Sequence, residues 1–217
     1  MTHDTTANDA LDLSGREPVL AFPVVGIGAS AGGIDALRKF FEALPEKTGM
    51  AFVVVLHLHP EHESHLAELL GRVCKLPLQE VTEDTPLAPD HVFVIRPRFA
   101  LTIEGGTLRL NPAGESPRHP VDTLFRSMAD EQHEKAIAIV LSGSGSNGSA
   151  GALRIKEEGG AVFVQDPQTA QHDGMPLAAI TNGVADLVLP PEDLPEKLLA
   201  FGRHPYVQAP AEVVRLR

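Results

Sequence analysis

A serine stands among small residues in Gly28-Ala29-Ser30-Ala31-Gly32, a stretch that fits the pattern Gly-x-Ser-x-Gly. An apolar run precedes it, and a helical pattern then runs from Ile34 through Leu37, Phe40, Phe41 and Leu44. Glycines permit a sharp strand-to-helix turn because they carry no Cβ to clash. A hydroxyl in such a turn lies beside the free N–H groups that begin the helix. Two chemistries use that arrangement: a serine nucleophile with an oxyanion hole, or a cradle for phosphate. His57 closes the apolar run 50–56, and Asn147 lies in a second glycine-rich turn, Ser142-Gly143-Ser144-Gly145-Ser146-Asn147-Gly148. In a doubly wound sheet, ligands sit beyond the carboxyl ends of the strands. Ser30, His57 and Asn147 would meet there as nucleophile, general base and orienting group. The order serine, histidine, third member differs from that of the α/β-hydrolases, which disfavours that fold although the local motif matches.

Each piece also has a plainer reading. Ser30 can cap a helix, and His57 can be a satisfied polar residue at a strand end. Gly26-x-Gly28-x-x-Ala31 and Gly143-x-Gly145-x-x-Gly148 both fit the dinucleotide-binding fingerprint, and Asp166 follows the second at the end of the next strand, where an acidic residue would meet a ribose. Glycine-rich turns are common, so these residues alone leave a hydrolase and a dinucleotide binder level. His57, His59, His62 and His65 could surround a metal, but no second cluster with zinc-like spacing accompanies them. The expectation is a site without metal or cofactor.

The elements that must position these groups follow an α/β rhythm. Strands are expected over 19–26, 50–56, 136–141, 161–165 and 184–189, the continuous apolar runs among them reading as strands buried on both faces. Helices are expected from Ile34 to before Pro45, after Pro60 through Leu66, Leu69, Leu70 and Val73, over 122–134, through Ala152, Leu153 and Ile155, and over 194–201. Short strands at 78–81, 91–95, 100–103 and 107–110 interrupt the rhythm, the last two joined as a hairpin by Gly105-Gly106. The fold class is therefore α/β: a doubly wound, mainly parallel sheet flanked by helices, with a small antiparallel hairpin region. Residues 1–18 read as a flexible leader, 19–204 as the domain, and 205–217 as a tail or linker.

Composition narrows the function classes. With 217 residues the chain can build a sizeable core, and its net charge of −11 offers no basic footprint for nucleic acid or anionic lipid. The single cysteine, Cys74, excludes an internal disulfide and reads as a buried structural thiol. No stretch approaches the roughly 20 apolar residues of a membrane span, and residues 1–17 lack an apolar signal core, so a cytoplasmic location without membrane insertion is expected.

Four segments carry a more specific signal: GIGASAGG (26–33), VVVLHLHPEHES (53–64), VLSGSGSNG (140–148) and VQDPQTAQHDGMP (164–176). In this order and spacing the chain resembles the CheB-type protein-glutamate methylesterase domain over roughly residues 19–204, in the form fused with CheR-type methyltransferase and sensor-kinase modules. The resemblance implies hydrolysis of γ-glutamyl methyl esters on cytoplasmic chemoreceptor helices, with glutamine deamidation as a second activity. It implies Ser30 as nucleophile and His57 as general base, with the N–H groups of Ala31 and Ser144 as oxyanion donors and Gly145 and Met175 beside them. The implied partners are a methylated chemoreceptor or sensor helix and CheR-type and kinase domains of the same fusion. One position departs from the pattern: Asn147 stands where the family has its catalytic Asp, so a correctly built site with weakened general-base catalysis is expected. The alternative is a catalytically silent docking or sensory module that keeps the fold.

Overall fold

A computed structural model of the chain describes residues 20–57, 66–96, 99–112 and 119–208. In chain order the elements are β1 (Val24–Ala29), α1 (Gly33–Ala43), β2 (Ala51–Leu56), α2 (Leu66–Gly71), β3 (Leu78–Glu80), β4 (Thr85–Pro86) and β5 (His91–Val94). The hairpin β6 (Phe99–Glu104) and β7 (Thr107–Pro112) leads to α3 (Pro120–Gln132), β8 (Ala136–Val140), α4 (Ser149–Glu157) and β9 (Ala161–Gln165). Helix α5 (Gly174–Thr181), strand β10 (Leu187–Leu189), α6 (Leu194–Gly202) and the short α7 (Pro205–Gln208) complete it.

The apolar runs become central strands because they can lose water on both faces: every residue of β1, β2, β8 and β9 is buried. They lie in a seven-stranded sheet of order β10-β9-β8-β1-β2-β5-β3, whose strand pairs are all parallel. A three-stranded antiparallel sheet, β4-β7-β6, stands apart. One core lies on the α1 side of the large sheet, where Leu37, Phe40 and Phe41 pack on Ile27, Phe52 and Val54. The other lies on the α3 and α4 side, where Leu124, Phe125, Met128 and Ile155 meet Val53, Ala138 and Val140. From β1 the chain steps to β2 on one side, whereas β8 pairs on the other, so the strand order reverses between β1 and β8. Crevices open at such points.

Several expectations shift. Strand β1 starts at Val24 and runs to Ala29, so Gly26 and Gly28 belong to the strand and not to the turn. A Cβ on Gly26 would strike Met128 Sδ, and one on Gly28 would strike Val121 Cγ1, so their bareness lets α3 lie close against β1. The first dinucleotide fingerprint therefore has a packing explanation. The tight bend is confined to Ser30-Ala31-Gly32, with Gly32 in the left-handed region at φ 73°. The last strand is shorter than expected: the Asp186 N–H still donates to the Val162 carbonyl at 2.8 Å, but the Val162 N–H goes to the Asp186 carboxylate instead of to main chain, and the ladder begins at Leu187. Helix α5 was not expected, and Pro205–Gln208, read as tail, forms a helix with Val207 buried. Residue 19 and residues 60–65, included in the expected first strand and second helix, lie outside the described residues.

Candidate active site

Three neighbouring strands, β8, β1 and β2, each deliver one of the expected residues just past their carboxyl ends. Ser30 directly follows β1, His57 directly follows β2, and Asn147 sits in the turn between β8 and α4. The Ser30 N–H donates to the Ser142 carbonyl at 2.9 Å, tying the first turn to the second across the reversal point. The His57 N–H donates to the Ala29 carbonyl at 2.9 Å, and Ser30 Oγ donates to the His57 carbonyl at 3.0 Å. Residues 30 and 57 are thus in contact, but the hydroxyl is placed on main chain and not on the imidazole. Both are partly exposed, so the site opens to solvent. The His57 ring is held below the ordinary imidazole range, chiefly because its surroundings withdraw it from water and secondly because the charge of His119 repels a proton.

Asn147 is buried, at 8% exposure. Its Oδ1 accepts the Asp122 N–H at 3.2 Å, while its Nδ2 is buried with no hydrogen-bond partner. Asp122, the third residue of α3, returns the favour: its Oδ1 accepts the N–H of Gly151, the third residue of α4, at 2.7 Å. The start of α3 is capped from the turn before α4, and the start of α4 by a side chain of α3, which satisfies one orphan N–H in each. The positive ends of two helix dipoles therefore converge on Asn147. The second Asp122 oxygen faces His119 Nδ1 at 3.8 Å, and His119 is exposed at the mouth. Among the described residues no hydrogen bond joins Asn147 to the His57 ring.

The N–H groups of Ala31, Ser144 and Gly145 have no acceptor among the described residues, and the Gly145 nitrogen lies against Gly174. Ser144 and Gly145 are exposed. Ser142 Oγ reaches the Ala31 carbonyl at 2.9 Å and accepts the His172 N–H at 3.1 Å, bracing both turns from below. Met175 is only 1% exposed; its N–H donates to the Gly143 carbonyl at 2.8 Å and its sulfur fills the space where a Gly143 Cβ would stand. That Cβ would also lie 3.0 Å from Ser30 Cβ, so Met175 supports the wall beside Ser30 from behind.

Of the acidic residues near the strand ends, Asp122 is the one joined to Asn147. Asp166 instead caps its own turn through the Gln168 N–H at 2.9 Å, and Asp173 is exposed ahead of α5. The coupling of Asp122 and His119 to the site has no local sequence signature, because it arises from helix packing between residues far apart in the chain. Cys74 is half-buried and not the fully buried thiol expected; that partial burial pushes its thiol up, which still suits a structural cysteine. Among the described residues no group of three or more His, Cys, Asp or Glu could hold a metal, and His59, His62 and His65 lie outside them. No helix among the described residues is long and apolar enough to cross a membrane.

Comparison with known proteins agrees with this fold. The family model for CheB methylesterase matches residues 25–198. A protein of Leptospira interrogans is 32% identical over 84% of this chain and 96% of its own length. The protein-glutamate methylesterase/protein-glutamine glutaminase of Moorella thermoacetica is 34% identical over 87% of this chain but only 46% of its own. Among solved structures, the Thermotoga maritima CheB methylesterase catalytic domain superposes with a TM-score of 0.77 at 30% identity, covering 83% of this chain and 99% of that one.

Proposed function

Because the chain belongs to the CheB methylesterase family, we propose that it hydrolyses γ-glutamyl methyl esters on the cytoplasmic helices of chemoreceptors or related sensor proteins, with glutamine deamidation as a second activity. The observation that carries this reading is the contact between residues 30 and 57 at the carboxyl ends of β1 and β2.

In the proposed reaction, rotation about the Ser30 side chain takes its hydroxyl from the His57 carbonyl to the ring. The ring accepts the proton as Oγ attacks the ester carbonyl, and the oxyanion is received by the free N–H of Ala31 with that of Ser144. Methanol leaves with the proton held by His57; water then enters and releases the glutamate from the acyl-serine. Gly145 keeps the mouth of the second turn open, and Met175 holds that turn in place. No step calls for a metal or a cofactor.

Asn147 weakens this machinery for a reason specific to its surroundings. The Asp122 N–H can only donate, so the amide must present its oxygen there and its Nδ2 the other way. With its oxygen on that N–H the amide turns only N–H donors the other way, whereas a carboxylate has one acceptor oxygen for Asp122 and another for the His57 N–H. Asn147 also brings no charge to steady the imidazolium. In a serine protease triad the same exchange costs about 10⁴ in kcat.

Initial rates on a methylated receptor helix test the reading. Ser30→Ala should abolish hydrolysis, and Asn147→Asp should raise kcat by orders of magnitude. If the chain, Ser30→Ala and Asn147→Asp all remain at background on a substrate that a related esterase cleaves, the domain is a docking module instead. CheR-type and kinase domains of a fusion remain the proposed neighbours.

A further inference from the structure

We infer that Asn147 is a self-modification site: the folded chain converts it to Asp through a cyclic imide with Gly148, and so supplies the carboxylate that its own catalytic site lacks. The consequence for activity rests on the esterase reading above, but the conversion does not.

Asn-Gly is the dipeptide in which a main-chain nitrogen is least shielded, since glycine has no side chain to block its approach to the preceding Cγ. At Asn147-Gly148 four further features favour the reaction. The Gly148 N–H has no acceptor among the described residues, so no hydrogen bond must break before its nitrogen attacks. Oδ1 accepts the Asp122 N–H at 3.2 Å, which polarises Cγ and awaits the oxyanion that forms there. Nδ2, the leaving group, is buried and held by nothing. Finally, the starts of α3 and α4 both face the position, favouring negative charge first on the tetrahedral intermediate and then on the product.

The atoms balance with water as the only co-reactant. Gly148 is buried beside the exposed residues 144–146, so its nitrogen gives its proton to water or hydroxide admitted from that side and bonds to Cγ of Asn147. The bond from Cγ to Nδ2 breaks, and Nδ2 takes up a proton and departs as ammonia. Water then opens the ring. Attack at Cγ breaks the new bond and yields Asp, while attack at the main-chain carbonyl yields isoaspartate. The Asp122 N–H polarises the Cγ carbonyl, so Asp is the favoured product. That carboxylate keeps one oxygen on Asp122 and turns the other to where the unpartnered Nδ2 now lies.

The chain contains its own control. Asn182-Gly183 is the same dipeptide and is exposed, but the Gly183 N–H is tied to the Ile180 carbonyl at 2.9 Å. Exposure alone would make Asn182 the faster site; the hydrogen bonds make it Asn147.

The test is to age the intact chain at mildly alkaline pH, natively and in denaturant, and follow both peptides by mass spectrometry with fragmentation that separates Asp from isoaspartate. In the native chain the Asn147 peptide should gain one mass unit several-fold faster than the Asn182 peptide, mainly as Asp. In denaturant the two should convert alike. Matched native aliquots should gain esterase activity in proportion, approaching that of Asn147→Asp. An unchanged Asn147 while native Asn182 converts, or isoaspartate as the main product, overturns the inference. Conversion with flat activity overturns its consequence if Asn147→Asp is active. If Asn147→Asp is also inactive, the esterase reading falls and the conversion stands.

Discussion

The His57 ring sets how the proposed esterase responds to pH. Its surroundings disfavour the charged form, so it sheds its proton below the ordinary imidazole value of about 6.5. The base is then ready at a lower pH, and the acidic limb of the kcat/KM profile should lie below that value. His119→Gln removes a neighbouring positive charge, so the limb should move upward; it should stop short of the ordinary value because loss of hydration is the larger cause. A limb that moves downward, or past that value, would contradict this account. The same shift bears on folding: the unfolded chain binds the proton more readily, so this residue's contribution to stability declines as pH falls through the unfolded value. Ser30 and His57 were legible in the sequence because each directly follows an apolar run, and strand ends in a wound sheet are where chemistry gathers. His119 was not legible as part of the site, since nothing near it in the chain marks its closeness to the His57 ring.

Helix α3 is the element that brings the third strand's turn and the site together. It can lie against β1 only because Gly26 and Gly28 are bare on that face. Gly28→Ala should therefore push Val121 outward and cost about 1–3 kcal/mol, as overpacking does. Val121→Ala in the same chain should recover part of that loss, which a double-mutant cycle by denaturant unfolding would read as coupling between the two positions. Strict additivity would mean that the two do not press on each other. Asp122→Ala should cost about 0.5–2 kcal/mol, the range for a lost helix cap. It should also lower kcat, because the turn that carries Asn147 ends at the helix it steadies. The glycines illustrate the limit of motif reading: the same residues that suggested a dinucleotide cradle are spaced for close helix-on-strand packing. Helix α5 escaped notice for a related reason, since GMPLAAIT is apolar almost throughout and shows no helical alternation of apolar and polar residues.

Across the whole molecule, the architecture was largely readable because the buried strands are continuous apolar runs and the interrupting hairpin carries its own turn signal. The far end of the chain was not. Four residues past the expected boundary return to the body, burying Val207 completely and setting the Tyr206 hydroxyl on the Gly159 carbonyl at 3.3 Å. Truncation after His204 should consequently remove roughly 1.5–3 kcal/mol for Val207 alone and lower the thermal midpoint by several degrees, while sparing ester hydrolysis at low temperature. An unchanged midpoint would return these residues to the tail.

The paired caps on α3 and α4 have a dynamic consequence. Since the Asp122 amide is guarded from the turn before α4, and the Gly151 amide from the first turn of α3, neither can meet deuterium while both guards are in place. An opening that frees one strips protection from the other, so the two amides should exchange at a common rate, as a single breathing unit set into an otherwise quiet sheet.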